Sequence, residues 1–260
     1  MKDIQILVAT HKKYKMPESD IYLPIHVGRE GKEDLGYQGD NEGDNISDKN
    51  GNYCELTGLY WAWKNLNCKY VGLSHYRRYF VGSKNETFIT NYKSASKSIL
   101  GENEIKELMK NYDIILPKKR NYFIENVRSH YKNAHNIEDL EETQKIINDK
   151  YPDYLEAFET VMNKKTLHLY NMFVLKKELF NEYCEWLFDI LLELEKRIDI
   201  SNYDSYQSRI YGFISERLFN VWVEYKQLNV KELKVTNLDK INNFKKANNF
   251  ILRKLHKVSS

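Results

Sequence analysis

The sequence is poor in cysteine, which narrows the class of protein. It has only Cys54, Cys68 and Cys184 in 260 residues. Their number is odd and no two of them stand at a spacing typical of a metal site, so neither a disulfide framework nor a zinc centre is indicated. We expect three free thiols in a reducing compartment, the cytoplasm.

Long hydrophobic runs are also absent. No stretch of eighteen or more apolar residues occurs, so the sequence predicts no membrane-spanning helix. The first apolar run, residues 4–10, is too short for the hydrophobic region of a signal peptide. We therefore expect a cytoplasmic protein, and attachment to the inner face of the cell membrane stays open as an alternative.

Several short motifs with a known mechanism are missing. There is no GxxxxGK[ST] or GxGxxG phosphate loop, no GxSxG elbow and no HExxH metal motif. Asp40, Asp44 and Asp48 stand four residues apart and invite a metal interpretation, and Asp48 begins a run that resembles an EF-hand. Tyr53 and Leu59 contradict the EF-hand, because its sixth and twelfth positions need Gly and Glu. This stretch is more typical of turns, so we assign no metal ligand.

The charge of the chain is nearly balanced. Its 40 basic and 37 acidic residues give a net charge of +3, whereas a nucleic-acid-binding protein shows a larger or more segregated basic excess. No nucleic-acid partner is expected. Tyrosine is abundant, with 20 residues, and four tryptophans are present. Their flat faces suit stacking on sugars or bases, although most of them are expected in the core or at its rim.

Hydrophobic patterning predicts strands that alternate with helices. Such an order favours an α/β fold with a mostly parallel sheet flanked by helices. We predict a globular domain over residues 1–241, followed by a basic amphipathic tail over residues 242–260. Strands are expected at residues 4–10, 23–27, 70–74, 112–116, 168–175 and 230–235, and helices at residues 55–65, 103–110, 138–165, 178–198 and 206–222.

The most informative stretch is residues 44–80. It begins with an Asn-rich segment, continues through an aromatic helix and an apolar strand, and ends in His75, Tyr76, Arg77 and Arg78. Ligands of α/β proteins usually bind at the carboxyl ends of strands. Adjacent arginines beside a histidine are suited to bind an anionic group there, and a phosphate fits this set best. The alternative is a surface arginine pair that makes structural ion pairs.

Two carboxylates are candidates for a general base. Glu216 and Arg217 lie inside the apolar segment YGFISERLFNVW, where burial can tune a carboxyl pKa. A buried ion pair between these two residues is the alternative. Asp204 lies in a polar loop before that helix, and Asn171 lies in the strand predicted over residues 168–175, where it could contact a ligand.

Four blocks of the sequence carry a resemblance to a known family. They are GDNISDKNGNYCELTGLYWAWKN, YVGLSHYRRYF, NMFVLKKELFNEYCEWLF and YQSRIYGFISERLFNVW. Together they resemble a bacterial family of capsular and exopolysaccharide glycosyltransferases that long carried a domain-of-unknown-function label and includes galactofuranosyltransferases. The resemblance runs from Ile4 to Trp222. It implies a GT-A-like fold with a helical C-terminal part.

The resemblance also implies roles for site residues. In the GT-A fold a strand ends in an Asp-x-Asp motif that holds a metal on the donor diphosphate, but here it ends in His75, Tyr76 and Arg77. No cofactor is therefore certain and Mn²⁺ or Mg²⁺ stays open, because cationic side chains can also neutralise a diphosphate. His75, Arg77 and Arg78 are expected to stabilise the leaving group. Donor contacts are expected from Thr10, His11, Lys12, Asp44, Asn45, Asn50, Tyr76, Arg78 and Asn171.

The resemblance implies an inverting hexosyltransferase. It would move a hexosyl group, galactofuranosyl as one option, from a UDP-sugar to a lipid-linked or oligosaccharide acceptor, with Asp204 or Glu216 as base. One alternative is a non-catalytic carbohydrate-binding protein. Another is a membrane-surface scaffold of polysaccharide assembly, since the basic tail could lie on an anionic membrane. An ordinary packed helix explains the tail equally well.

Overall fold

A computed structural model describes residues 2–82 and 97–238 of the chain. Strands and helices alternate along it, as the sequence predicts. The strands are β1 (Ile4–Thr10), β2 (Tyr22–His26), β3 (Gln38–Gly39), β4 (Tyr70–His75), β5 (Arg78–Phe80), β6 (Ile114–Pro117), β7 (Arg120–Asn121), β8 (Thr166–Leu167), β9 (Phe173–Lys176), β10 (Val230–Leu233) and β11 (Val235–Asn237). The α-helices are α1 (Asn50–Tyr53), α2 (Leu56–Asn65), α3 (Glu102–Leu108), α4 (Val127–Ala134), α5 (Ile137–Lys150), α6 (Leu155–Asn163), α7 (Lys177–Arg197) and α8 (Ile210–Tyr225).

One mixed sheet forms the centre of the fold. Its main path runs β10-β6-β9-β4-β1-β2-β3, and β5 pairs with β4 and β11 beside that path. Strand β1 is parallel to both of its neighbours, β2 and β4, whereas β9 is antiparallel to β4 and β6. Because the parallel strands β1, β2 and β4 end at one edge of the sheet, that edge collects the residues that follow each strand.

The sheet is covered on both faces. Leu7 and Ala9 of β1 pack into one buried cluster with helices α2, α7 and α8, while Ile4, Ile6 and Val8 pack into a second cluster that includes Ile105 of α3. Successive side chains of a strand point to opposite faces. A strand buried on both faces therefore reads as a continuous apolar run, which is the pattern seen in residues 4–10.

Most predicted elements are confirmed within a residue or two. The aromatic helix before the arginine pair is α2, and the strand that leads into His75 is β4. The long apolar helix predicted over residues 178–198 is α7. The predicted tail, residues 242–260, lies outside the described residues, so the division of the chain at residue 241 stays a prediction. No helix in the described ranges has the length and apolarity needed to cross a bilayer.

Some boundaries were predicted wrongly. The helix predicted over residues 138–165 is divided into α5 and α6 by a 3₁₀ turn over Pro152–Tyr154. Two other wrong boundaries lie beside the cavity described below. The strand predicted from residue 168 starts at Phe173, because Tyr170 and Asn171 have left-handed φ values of 75° and 52°. Residues other than glycine rarely adopt that backbone conformation, and it does not continue a strand. The helix predicted from residue 206 starts at Ile210, after a 3₁₀ turn over Gln207–Arg209.

Candidate active site

A cavity of about 780 Å³ opens at the edge of the sheet where β1 and β4 end. Its walls come from those strand ends, from the segment leading into α2, and from the start and middle of the C-terminal helical region. The lining residues are Ala9, Thr10, His11, Val27, Lys32, Asn50, Gly51, Cys54, Glu55, His75, Tyr76, Arg77, Arg78, Tyr170, Arg209 and Glu216. Sequence reasoning thus placed eight of its candidates in one cavity.

The end of β1 is shaped by Thr10. Its hydroxyl donates to the Lys12 carbonyl over 2.7 Å and accepts the Lys12 N–H over 3.3 Å, which makes a tight turn. The Tyr76 N–H donates to the Ala9 carbonyl over 3.1 Å. This bond fixes the end of β4 against the end of β1, so the residues after both strands enter the same cavity.

The ring of Tyr76 contacts two other aromatic rings and lies close to two cationic side chains. His11 and Tyr14 meet its ring edge-on, with centroids 5.5 and 5.0 Å away. Lys12 Nζ lies 5.1 Å and Arg77 Cζ 5.5 Å from its centroid, within the range of cation–π attraction. Tyr76 is buried, so it holds these charged groups near the cavity. Lys12 itself does not line the cavity.

The cavity is strongly cationic. Lys32, Arg77, Arg78 and Arg209 all line it. The pKa of His11 is lowered, first by burial and then by Lys12, Lys32, Arg77 and Arg209, so the neutral imidazole is favoured. Four cationic side chains converging on one cavity form a site for a multiply charged anion.

The turn at Tyr170 and Asn171 borders the cavity through Tyr170, which contacts residues from both β4–β5 and α8. His75 Nε2 donates to the Tyr170 carbonyl over 2.8 Å. Arg78 pairs with His75 across the β4–β5 hairpin, and its Cζ lies 4.6 Å from the centre of the Tyr170 ring. The Tyr170 N–H donates to Glu216 Oε1 over 2.7 Å.

Glu216 fits both of its predicted roles. Its second carboxylate oxygen lies 3.3 Å from Arg217 Nη1, so the predicted ion pair forms. The carboxylate still reaches the cavity, with its side chain 21% exposed. Burial raises the pKa of Glu216 above 4.5, although Arg217 and the Tyr170 N–H favour the ionised form. A carboxylate with a raised pKa at the wall of a cavity suits general base chemistry.

Sequence reasoning missed Glu55 and Arg209. Glu55 lines the cavity and its Oε1 accepts the Asn171 amide over 2.9 Å. Arg209 reaches the same cavity, and its Nε donates to Cys54 Sγ over 3.2 Å. Glu55 precedes α2 and gave only a helix-start signal, while Arg209 is brought to Cys54 across 155 residues by tertiary packing. No local pattern could have shown that contact.

Backbone strain is concentrated around this cavity. Three of the five non-glycine residues with positive φ in the described ranges are Cys54, Tyr170 and Asn171, at 53°, 75° and 52°. Two of them line the cavity and the third bonds to Glu55. Conformations of this kind cost about 1–3 kcal/mol each and cluster at functional sites, where the surroundings hold them in place.

Several predicted site residues lie elsewhere because their side chains bond to other parts of the fold or to their own turns. Asp44 accepts from the Tyr60 hydroxyl, and Asn45 accepts the Ser47 N–H. Asp204 accepts the N–H groups of the two residues at positions 206 and 207, both over 2.8 Å, and caps the 3₁₀ turn. Asn171 stands behind Glu55 rather than in the lining. Asn50 lines the cavity, but its amide also bonds to the Cys54 carbonyl.

The residues around the cavity do not form a preassembled metal site. Among residues 2–82 and 97–238, no group of three or more His, Cys, Asp or Glu side chains is arranged to hold a metal. The buried Asp40 carboxylate already accepts the N–H groups of Gly28 and Arg29 and the Ser47 hydroxyl. The end of β4 supplies Arg77 where a metal site would need a carboxylate.

Comparisons with known proteins agree with this architecture. A family model described as "Domain of unknown function (DUF4422)" matches residues 5–227. A solved structure described as the apo structure of the WbbM bifunctional glycosyltransferase is similar to the chain, with 35% sequence identity and a TM-score of 0.85. The match covers 91% of this chain and 45% of that one, so the chain spans less than half of its neighbour. No curated protein matches. The fold is GT-A-like, a mostly parallel sheet flanked by helices with a helical C-terminal part.

Proposed function

The chain belongs to the family described as domain of unknown function DUF4422, and from that premise we propose that it is a glycosyltransferase that uses a nucleotide-sugar donor. The observation that carries the proposal is the cavity at the ends of β1 and β4, which combines four cationic side chains with the carboxylates of Glu55 and Glu216. Transfer of a sugar from a nucleoside diphosphate needs both functions: stabilisation of an anionic leaving group and removal of a proton from the acceptor.

The leaving group is assigned to the cationic wall. The bond between the anomeric carbon and the diphosphate oxygen breaks, and negative charge grows on that oxygen. Arg77, Arg78 and Arg209 are placed to receive it, because guanidinium groups bind phosphate oxygens with paired hydrogen bonds. His75 donates a hydrogen bond to the Tyr170 carbonyl, and we assign it the role of positioning Tyr170. Charge stabilisation by fixed groups in a cavity is usually the largest contribution to catalysis.

The base is assigned to Glu216. An inverting transfer needs one base that accepts the proton of the attacking hydroxyl while that oxygen bonds to the anomeric carbon. Glu216 lies at the cavity wall with a raised pKa and is oriented by the Tyr170 N–H. Asp204, the other carboxylate predicted as base, is occupied as a cap and does not line the cavity. We route no step through a metal, since the described residues hold no preformed cluster of three or more metal ligands and the arginines of the cavity supply the positive charge.

The finer identity of the substrates rests on the family resemblance. We propose a UDP-linked hexose, with galactofuranose as one option, and a lipid-linked or oligosaccharide acceptor of capsular or exopolysaccharide synthesis. The size of the cavity, about 780 Å³, is compatible with a ligand of the nucleotide-sugar class.

Thermal unfolding in the presence of UDP tests the proposal. A ligand that binds only the native state raises stability with the logarithm of its concentration over its dissociation constant. We expect UDP to raise the melting temperature without manganese, and ADP and GDP at equal concentration to raise it less. A rise in melting temperature that requires manganese would indicate that a metal takes part in the mechanism. If no nucleotide stabilises the chain, the enzyme proposal fails and a carbohydrate-binding protein becomes the better interpretation.

A further inference from the structure

The loop over residues 121–125 exposes two adjacent apolar side chains. Phe123 is 75% and Ile124 87% exposed. The other exposed large apolar side chains among the described residues are those of Tyr206 and Tyr225, at 52% and 38%, and both carry a polar hydroxyl. Adjacent exposed apolar groups on a polar surface mark an interaction site, because leaving them in water is unfavourable.

The loop is held in shape by its own backbone. Phe123 has a left-handed φ of 59°, and its N–H donates to Asn121 Oδ1 over 2.7 Å. The Ile124 N–H donates to the Tyr122 carbonyl over 2.7 Å, and the Tyr122 N–H donates to the Lys165 carbonyl over 2.8 Å. The two apolar side chains therefore project from a fixed turn whose conformation costs free energy.

Cationic side chains flank the base of this loop. Lys119 and Arg120 precede it and are exposed, and the exposed Lys165 lies beside Tyr122 through the β7–β8 pair. Acidic groups nearby include Glu125 in the loop, Glu232, whose carboxylate lies 4.0 Å from Lys119 Nζ, and Glu224, which pairs with Lys164 over 2.6 Å. Apolar tips with basic residues behind them match the interface of an anionic bilayer, where acyl chains lie below lipid phosphates.

The loop also lies next to the cavity. Tyr122 packs on His130 with ring centroids 4.1 Å apart. Burial raises the pKa of Tyr122, and Glu216 and Tyr170, which line the cavity, lie close enough to affect it. A surface to which the loop binds would therefore lie near the part of the cavity wall that carries Glu216.

We propose that the 121–125 loop is a membrane-contacting surface. Phe123 and Ile124 enter the interfacial region of an anionic bilayer, and Lys119, Arg120 and Lys165 contact its phosphate groups. The binding stands independently of the glycosyltransferase proposal. Its consequence, that the cavity is presented to an acceptor carried by a lipid, rests on that proposed function.

Flotation of the full chain with vesicles tests the proposal. We expect binding to vesicles of phosphatidylcholine with phosphatidylglycerol and weaker binding to pure phosphatidylcholine. The double variant Phe123→Ser/Ile124→Ser should lower the partition coefficient at least about tenfold, because two apolar side chains no longer enter the bilayer. Each of Lys119→Ser and Arg120→Ser should lower it about fivefold at low salt.

Tyr206→Ser is the matched control. It removes an exposed ring that stacks on His135 at the opposite end of α4, so vesicle binding should not change. All variants should keep the wild-type melting temperature and UDP response, which separates this test from that of the proposed function. The proposal is overturned if the loop variant floats like wild type. The same holds if removal of residues 242–260 alone abolishes binding, or if the loop variant only converts a dimer into a monomer.

Discussion

The two walls of the cavity differ in charge and in backbone conformation. The wall at the ends of β1 and β4 carries Arg77 and Arg78 on regular strands and their hairpin, whereas the other wall carries Glu216 on α8 next to the left-handed turn at Tyr170 and Asn171. Glu216 pairs with Arg217 of its own helix over 3.3 Å, whereas Arg77 and Arg78 come from the strand side. The anion site and the base therefore lie on different elements, and the two elements meet at Tyr170, which contacts both Arg78 and Glu216.

The largest effect is expected on the carboxylate wall. Glu216→Gln keeps the size of the side chain and an oxygen for the Tyr170 N–H but removes the base, so turnover should fall roughly 10²–10⁴-fold. UDP affinity should change little, because the cationic wall is intact. Steady-state kinetics with a UDP-sugar, together with UDP binding by calorimetry, would measure both.

The matched control for this variant is Asp204→Asn, which should leave turnover almost unchanged because the amide oxygen can still cap the 3₁₀ turn. The pH profile gives a second readout. Since burial raises the pKa of Glu216 above 4.5, wild-type kcat/KM should fall on the acid side at a pH above that value, as the base becomes protonated. The residual activity of Glu216→Gln should lack this limb. A larger loss in Asp204→Asn would move the base to Asp204.

A smaller effect, of a different kind, is expected on the cationic wall. Arg77→Ala removes charge-assisted hydrogen bonds to the diphosphate, so UDP affinity should fall roughly 10- to 100-fold. The wild-type affinity should also weaken with salt, and the variant should depend on salt less. Lys145→Ala is a control, because Lys145 makes an exposed pair with Glu142 on α5. Unfolding of Arg77→Ala at the growth temperature would instead favour a purely structural role for this arginine.

The smallest effect is expected at the turn between the walls. Asn171 combines a φ of 52° with an amide bond to Glu55. Asn171→Ala loses the bond and keeps the strained conformation, whereas Asn171→Gly loses the bond and adopts that conformation freely. The alanine variant should therefore be less stable than the glycine variant by about 1 kcal/mol. Urea denaturation of the pair would measure the difference, and equal midpoints would mean that the backbone here relaxes.

The same comparison shows what sequence could predict. The strand wall was predictable, because residues 4–10 and 70–74 are apolar runs followed by polar side chains, and both sets of side chains line the cavity. The turn wall was not. Left-handed conformations usually coincide with glycine, and although asparagine adopts them more readily than most residues, the residue type of Tyr170 gives no indication that the strand is delayed to Phe173.

Residue type alone was a poor guide for polar side chains in loops. Asp44, Asn45 and Asp204 have the chemistry of a donor site or a base, but Asn45 and Asp204 accept hydrogen bonds within their own turns and Asp44 accepts one from Tyr60 of α2. Glu55 was overlooked although it lines the cavity. Short polar side chains serve turns and ligands equally well, and only the tertiary arrangement separates the two uses.

The three contacts of Tyr170 have a thermodynamic consequence. Its carbonyl accepts a hydrogen bond from His75, its ring makes a cation–π contact with Arg78, and its N–H donates a hydrogen bond to Glu216. An anion that draws Arg78 away from this ring changes the surroundings of the residue that orients the carboxylate. To the extent that such an anion alters the proton affinity of Glu216, linkage requires that protonation of Glu216 alters the affinity for the anion by the same factor. Proton uptake or release on UDP binding is therefore a direct measure of how tightly the two walls communicate.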